Sequence, residues 1–320
     1  MRLLSGISLL VVTALTASAP VGAQATDRMN PIIALQEKGL PVFGIAHPAI
    51  APRGPGRGRG AAADPAAPPP PPPPAIVLSD VAKETVAYKR ADYLFTSGTS
   101  ETFLRYIEEI KKAGGSMRTH PFAAKIGIWH SNPANVNAAI IRQLNAGHSS
   151  VSMEAVESAQ EVRDVIKAMR FVSAGGTRPE TDLDNAAAYW GLTVDQYKKK
   201  ADVWPINKNG ELIISVIIES REGIAKVREI AAEPGVGQIF VGYGTLGSSV
   251  FRGDPEGREA AAAQILAACK EFKIPCGFPT NNPAEMEQRT KEGWSVFIMQ
   301  RRDDAGFAAV ETGRQLAGRK

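Results

Sequence analysis

Glu219 closes the apolar run Ile213-Ile214-Ser215-Val216-Ile217-Ile218. A carboxylate at the C-terminal end of a buried parallel strand sits where a β/α barrel keeps its chemistry; the alternative is a carboxylate merely paired with Arg221 or Lys226. Glu154 ends another apolar run and is either a site carboxylate or a solvated loop residue. Lys125 lies within the run 122–126 and points either toward the outer helices or into the barrel, where an ammonium has to be paired or deprotonated. Arg178, after Gly175-Gly176, can hold a substrate carboxylate through two parallel hydrogen bonds or stand as a surface charge. His130 follows its strand and reaches the active face, whereas His120 and His148 precede theirs and belong at the opposite end.

Elements must hold these groups in place. Short apolar runs at 41–45, 93–95, 122–126, 151–153, 213–218, 238–241, 276–278 and 295–298 alternate with longer amphipathic ones, the rhythm of βα units and a parallel sheet. Eight strands separated by helices predict a single closed (β/α)8 TIM barrel, and no Gly-x-Gly-x-x-Gly turn follows the first strand to suggest a dinucleotide site. Ser79 is expected to cap a helix running to about residue 91. One excursion, 173–211, separates the fourth strand from the fifth; Tyr189, Trp190 and Trp204 are expected to pack it against the barrel.

The ends and the first loop read differently. Residues 1–25 carry a basic start, an apolar stretch and Ala23-Gln24-Ala25, the order of a secretory signal peptide, so a periplasmic or secreted protein with its barrel in 26–320 is expected. About 295 residues suit one barrel with extensions. The segment 46–78 holds Arg53-Gly54-Pro55-Gly56-Arg57-Gly58-Arg59-Gly60 and seven prolines from Pro68 to Pro74, a composition expected to stay disordered. The formal charge of +4 includes Arg2 and the arginines of that loop, which leaves the folded body near neutral and argues against nucleic acid. No later apolar run is long enough to span a bilayer. Cys269 and Cys276 are the only cysteines. On a helix and its own next strand they are expected to point apart, although an oxidising compartment would permit a bridge.

The stretch Ile217-Ile218-Glu219-Ser220-Arg221-Glu222-Gly223, followed by Pro234-Gly235-Val236-Gly237-Gln238-Ile239-Phe240-Val241-Gly242-Tyr243-Gly244-Thr245-Leu246, resembles the metal-binding half of the HpcH/HpaI aldolases, barrel enzymes that act on 2-oxo acids. A second match lies in Gly175-Gly176-Thr177-Arg178 and in 188–207, which resemble a secreted branch of that family. In the family a Glu and an Asp hold a divalent metal that the 2-oxo acid chelates, an Arg stabilises the enolate and a His moves protons. The resemblance implies Glu219 as a metal ligand, with Glu154 as its possible companion, and Mg2+ or Mn2+ as cofactor. Thr245 stands where the family has Asp. Ser97-Gly98-Thr99-Ser100 stands where it has its His, and Lys125 is the only cation near the Arg position. Lys125 and His130 are then the catalytic candidates, and Arg178, Gly242, Gly244 and Thr245 the substrate-binding ones. The implied activity is metal-assisted carbon–carbon cleavage or formation between a 2-oxo acid such as pyruvate and an aldehyde, in a homo-oligomer. The rival reading is a catalytically degenerate barrel that binds a small acid or a protein partner.

Overall fold

The computed structural model of the chain describes residues 28–50, 75–96 and 100–320. The expected leader, 1–25, and most of the Pro/Arg-rich insertion lie outside them. Nine parallel strands form one sheet: β1 (Val42–Ala46), β2 (Tyr93–Thr96), β3 (Phe122–Ile128), β4 (Ser150–Glu154), β5 (Val203–Trp204), β6 (Leu212–Ile218), β7 (Val236–Val241), β8 (Cys276–Thr280) and β9 (Val296–Met299). Pairing of β4 with β6 and of β9 with β1 closes eight of them into a barrel, while the two-residue β5 adds to the start of β6. The expected (β/α)8 architecture is therefore present. β6 shows why: every residue from Leu212 to Ile218 is buried, and β-branched side chains suit a strand covered on both faces.

The barrel interior is filled differently along its axis. At the bottom, Ile32 and Ile33 of the helix Pro31–Glu37 pack against Val42, Tyr93, Ala123, Ile213 and Val296, so the N-terminal helix plugs that end. Gly44 is required there, because a Cβ would lie 2.1 Å from the Tyr93 ring, whose hydroxyl donates to the Phe297 carbonyl. Above this layer the interior turns polar: the register aligns Lys125 with Ser152, Ser152 with Ser215 and Ser215 with Gln238. The outward faces bury a larger cluster against the helices, each fully covered Ile or Phe stabilising the fold by roughly 1.5–3 kcal/mol.

Two expectations need correction, on the Ser79 cap and on the cysteines, and two helical features add to the sequence reading. The helix after the insertion spans Leu78–Ala87 with Val77 at its N-cap, so Ser79 lies in the first turn and caps nothing. Between β6 and β7 lie two short helices, Arg221–Ala225 and Val227–Ala231, separated at Lys226. A final helix, Asp304–Leu316, went unforeseen; Gly313 brings it onto β1, where a Cβ would lie 2.3 Å from the Phe43 ring. Cys269 and Cys276 form a disulfide with a Cα–Cα distance of 5.8 Å. Lys273, left-handed at φ 56° at the end of the helix Pro255–Phe272, reverses the chain tightly enough to bring the two cysteines together.

Candidate active site

The C-terminal ends of the strands surround a cavity of about 100 Å3, lined on its polar side by Lys125, Ser152 and Glu219. Alternation along β4 carries Ser152 and Glu154 to the same face, and Glu154 accepts from Lys125 Nζ at 2.7 Å. Lys125 thus points into the barrel and is paired. Both side chains of the pair remain about a third exposed, at 32 and 28 %, so the contact is of the kind that contributes at most about 1 kcal/mol and exchanges readily.

Among the described residues Glu219 has no cationic partner. Arg221 donates instead to the Val250 carbonyl and stacks on Phe251, and Lys226 pairs with Glu222. One Glu219 oxygen accepts from the backbone N–H of Ala155 at 3.2 Å. Ala155 has φ 47°, a left-handed conformation costing a residue with a Cβ roughly 1–2 kcal/mol, and this bend aims its N–H across the cavity wall. Gly242 supplies the space beside it: a Cβ there would lie 2.2 Å from Glu219 Cβ and 2.5 Å from its Oε2. Beyond Gly242 the turn Tyr243–Thr245 carries the exposed Gly244 and Thr245 along the cavity rim.

The structure brings together Lys125, Glu154, Glu219, Gly242, Gly244 and Thr245, and separates two other candidates from them. Arg178 is fully buried under the opposite end, where it donates to Asn145 Oδ1 and the Tyr197 hydroxyl and lies 4.4 Å from the Phe171 ring centre. It organises the excursion and cannot touch a substrate at the top. His130 reaches the active face, but it stands in the loop after β3, half-exposed beside Glu161 at 3.5 Å and outside the cavity lining. Ser100 caps the helix Glu101–Lys112, and residues 97–99 lie outside the described ones.

The bottom-facing histidines behave as expected. His148 is buried with Nδ1 donating to the Gln143 carbonyl, and burial holds it at about 4, far below the usual range. His120 is likewise buried and lowered by desolvation. Trp190 donates to the Gly147 carbonyl and Tyr189 to that of His120, fastening the excursion under the barrel. Several lining residues escaped sequence reasoning, among them Ser152, Phe95, Phe240, Pro279 and Gln300. Alternation back from Glu154 signals Ser152; the rest needed the barrel's closure.

As a metal site this donor set is sparse. Among the described residues no group of three His, Cys, Asp or Glu side chains converges on one point, and Glu154, the expected companion ligand, is held by Lys125. Glu219 with the Thr245 hydroxyl fits a hard cation only where substrate oxygens and water complete the shell. Charge favours such a cation, because the Lys125–Glu154 pair is neutral and Glu219 leaves the cavity one negative charge in excess.

The family model for HpcH/HpaI aldolase/citrate lyase matches residues 130–297. A hydroxypyruvate/pyruvate aldolase of Paraburkholderia phytofirmans is 30 % identical over 163 residues, which are 49 % of this chain and 60 % of that protein. The chain thus spans about 60 % of that relative's length. Among solved structures, an HpcH/HpaI aldolase/citrate lyase family protein from Burkholderia cenocepacia superposes with a TM-score of 0.63 at 19 % identity, covering 90 % of this chain and 98 % of that one. Protein CitE of Mycobacterium tuberculosis, solved with magnesium and acetate, superposes at 0.50 with 12 % identity, covering 88 % and 94 %.

Proposed function

The chain belongs to the HpcH/HpaI aldolase/citrate lyase family, and from that premise we propose that it is a carbon–carbon lyase joining or cleaving a 2-oxo acid such as pyruvate and an aldehyde. The observation that carries this reading is the convergence of Glu219 and Lys125 on one cavity, with Gly242 keeping the space beside the carboxylate open. Glu219, with Thr245, would hold Mg2+ or Mn2+. A cation of this kind polarises the keto oxygen of a 2-oxo acid and lowers the cost of its enolate.

The chain's own groups account for the rest. An entering carboxylate takes the Lys125 ammonium in exchange for Glu154, a swap that costs little because the existing pair is half-solvated. Lys125 then offsets negative charge as the enolate develops, in surroundings drier than bulk water. Glu154 keeps the ammonium in place while the cavity is empty, and the Ala155 N–H fixes the Glu219 carboxylate. We further take the chain to be exported and to assemble with copies of itself; cleavage after Ala25 in a periplasmic fraction and the mass of the native particle test those two points.

Exchange of the pyruvate methyl protons for deuterium in the presence of Mn2+ or Mg2+ tests the enolising step without any choice of aldehyde. Exchange by the wild type and its loss in Lys125→Met support the lyase. Pyruvate binding without exchange under either metal would establish the rival, a degenerate acid-binding barrel, for which Thr245 in place of a metal-binding Asp is the supporting observation.

A further inference from the structure

The cavity has two chemically distinct arcs. On β3, β4 and just past β6 its polar side chains are Lys125, Ser152 and Glu219, with Ile217 of β6 beside them; on β7, β8, β9 and β2 it is lined by Phe240, Pro279, Ile298 and Phe95. The Phe240 ring lies over Gly277, where a Cβ would come within 2.5 Å of it, so the missing side chain on β8 turns an aromatic face into the barrel. Phe240, Phe95 and Pro279 are all only half-buried although they stand in a strand interior, which leaves apolar surface facing the empty cavity. Among the described residues, the side-chain polar atoms on this side lie at the rim or are already used. Thr245 and Gln300 follow the strand ends, and the Tyr243 hydroxyl is bound to Glu259 in the helical layer.

We infer that the aldehyde partner of this enzyme carries an apolar chain rather than a hydroxylated one, and that Phe240, Phe95 and Pro279 select it. The inference rests on the lyase reading, in which the acid group occupies the polar arc and so directs the reacting carbon toward the apolar one. In the addition, the methyl carbon of pyruvate loses a proton and bonds to the aldehyde carbon, whose oxygen gains a proton; no redox partner is required. Hydroxyls on the aldehyde chain would lose water against phenylalanine and proline without gaining partners, whereas methylenes would displace water held by no polar group.

The test compares kcat/KM for addition of pyruvate to acetaldehyde, propanal and butanal with that for glyceraldehyde, which has the carbon skeleton of propanal and two added hydroxyls. We expect a rise of about threefold to fourfold per methylene and a preference of at least about tenfold for propanal over glyceraldehyde. Phe240→Ser should flatten the series and Phe240→Leu preserve it; should the serine variant fail to fold, Pro279→Ser probes the same arc. Equal rates, or a preference for glyceraldehyde, overturn the inference even where pyruvate exchange proceeds normally. Calorimetry with pyruvate, 2-oxobutanoate and 2-oxohexanoate separates the two claims. Tighter binding with chain length in a protein that exchanges no protons keeps the apolar arc and removes the lyase, and a flat series removes the arc.

Discussion

The two ends of this barrel use similar residues to opposite effect. At the bottom, Arg178, His148 and Glu211 are fully buried, and each is bound by neighbours: Arg178 by Asn145 and Tyr197, His148 by the Gln143 carbonyl, Glu211 by the N–H groups of Met29 and Asn30. At the top, Lys125 and Glu154 are about a third exposed and, among the described residues, hold only each other, while Glu219 receives a single backbone N–H. A buried polar group bound to its neighbours locks chain segments together, because losing a partner strands the other in a dry interior. A group about a third exposed can trade its partner for a ligand. Solvent exposure, more than residue type, separates structure from chemistry in this molecule: among the described residues Arg178 Nη1 and His148 Nε2 also lack hydrogen-bond partners, yet they are sealed from solvent.

Removing Arg178 should have the largest effect. Arg178→Met is expected to destabilise the fold by about 3 kcal/mol or more, since Asn145 and Tyr197 lose their buried donor, and to leave pyruvate exchange per folded molecule unchanged. Urea titration beside an exchange assay measures both. If stability holds and exchange collapses, the division between the two ends is wrong.

Acid should attack the same end. His148 is held near 4 by burial, against about 6.5 in the unfolded chain, so between those values the unfolded state binds more protons. The stability owed to neutral His148 is complete above pH 6.5 and drains as the pH falls toward 4, by on the order of 3 kcal/mol at most. His120 at the same end, also lowered by desolvation, acts in the same direction, as does His47 just past the end of β1 on the opposite side. Melting curves from pH 7 to 4 should fall more steeply for the wild type than for His148→Gln; parallel slopes would remove His148 from the account.

The top end should invert the pattern. Glu219→Gln is expected to change stability by less than about 1 kcal/mol, as for a half-exposed surface contact, yet to lower exchange by about a hundredfold and abolish Mn2+ binding seen by calorimetry. A variant that titrates Mn2+ like the wild type would rule Glu219 out as the ligand. The smallest effect is a gain: Thr245→Asp adds a second carboxylate at the rim and should tighten Mn2+ by about tenfold. An unchanged affinity in a folded variant would show that Thr245 does not face the cation.

The strand order came directly from the chain because a parallel barrel buries both faces of every strand, and runs such as Ile213–Ile218 leave no other burial pattern open. The strand-end rule likewise located Glu219, and it placed His120 and His148 at the bottom. Alternation on a single strand does not reveal what the opposite wall contributes. The pairing of Lys125 with Glu154 crosses from β3 to β4, the removal of Arg178 from the site depends on which end of the barrel the 173–211 excursion covers, and the apolar arc joins residues as distant as Phe95 and Ile298. The disulfide turned on one left-handed residue, Lys273. A sequence specifies which face each residue takes within its own element; closing the sheet, which brings strands far apart in the chain to a shared axis, decides which of those faces meet. For this protein that closure separated the bound charges beneath the barrel from the exchangeable ones above it.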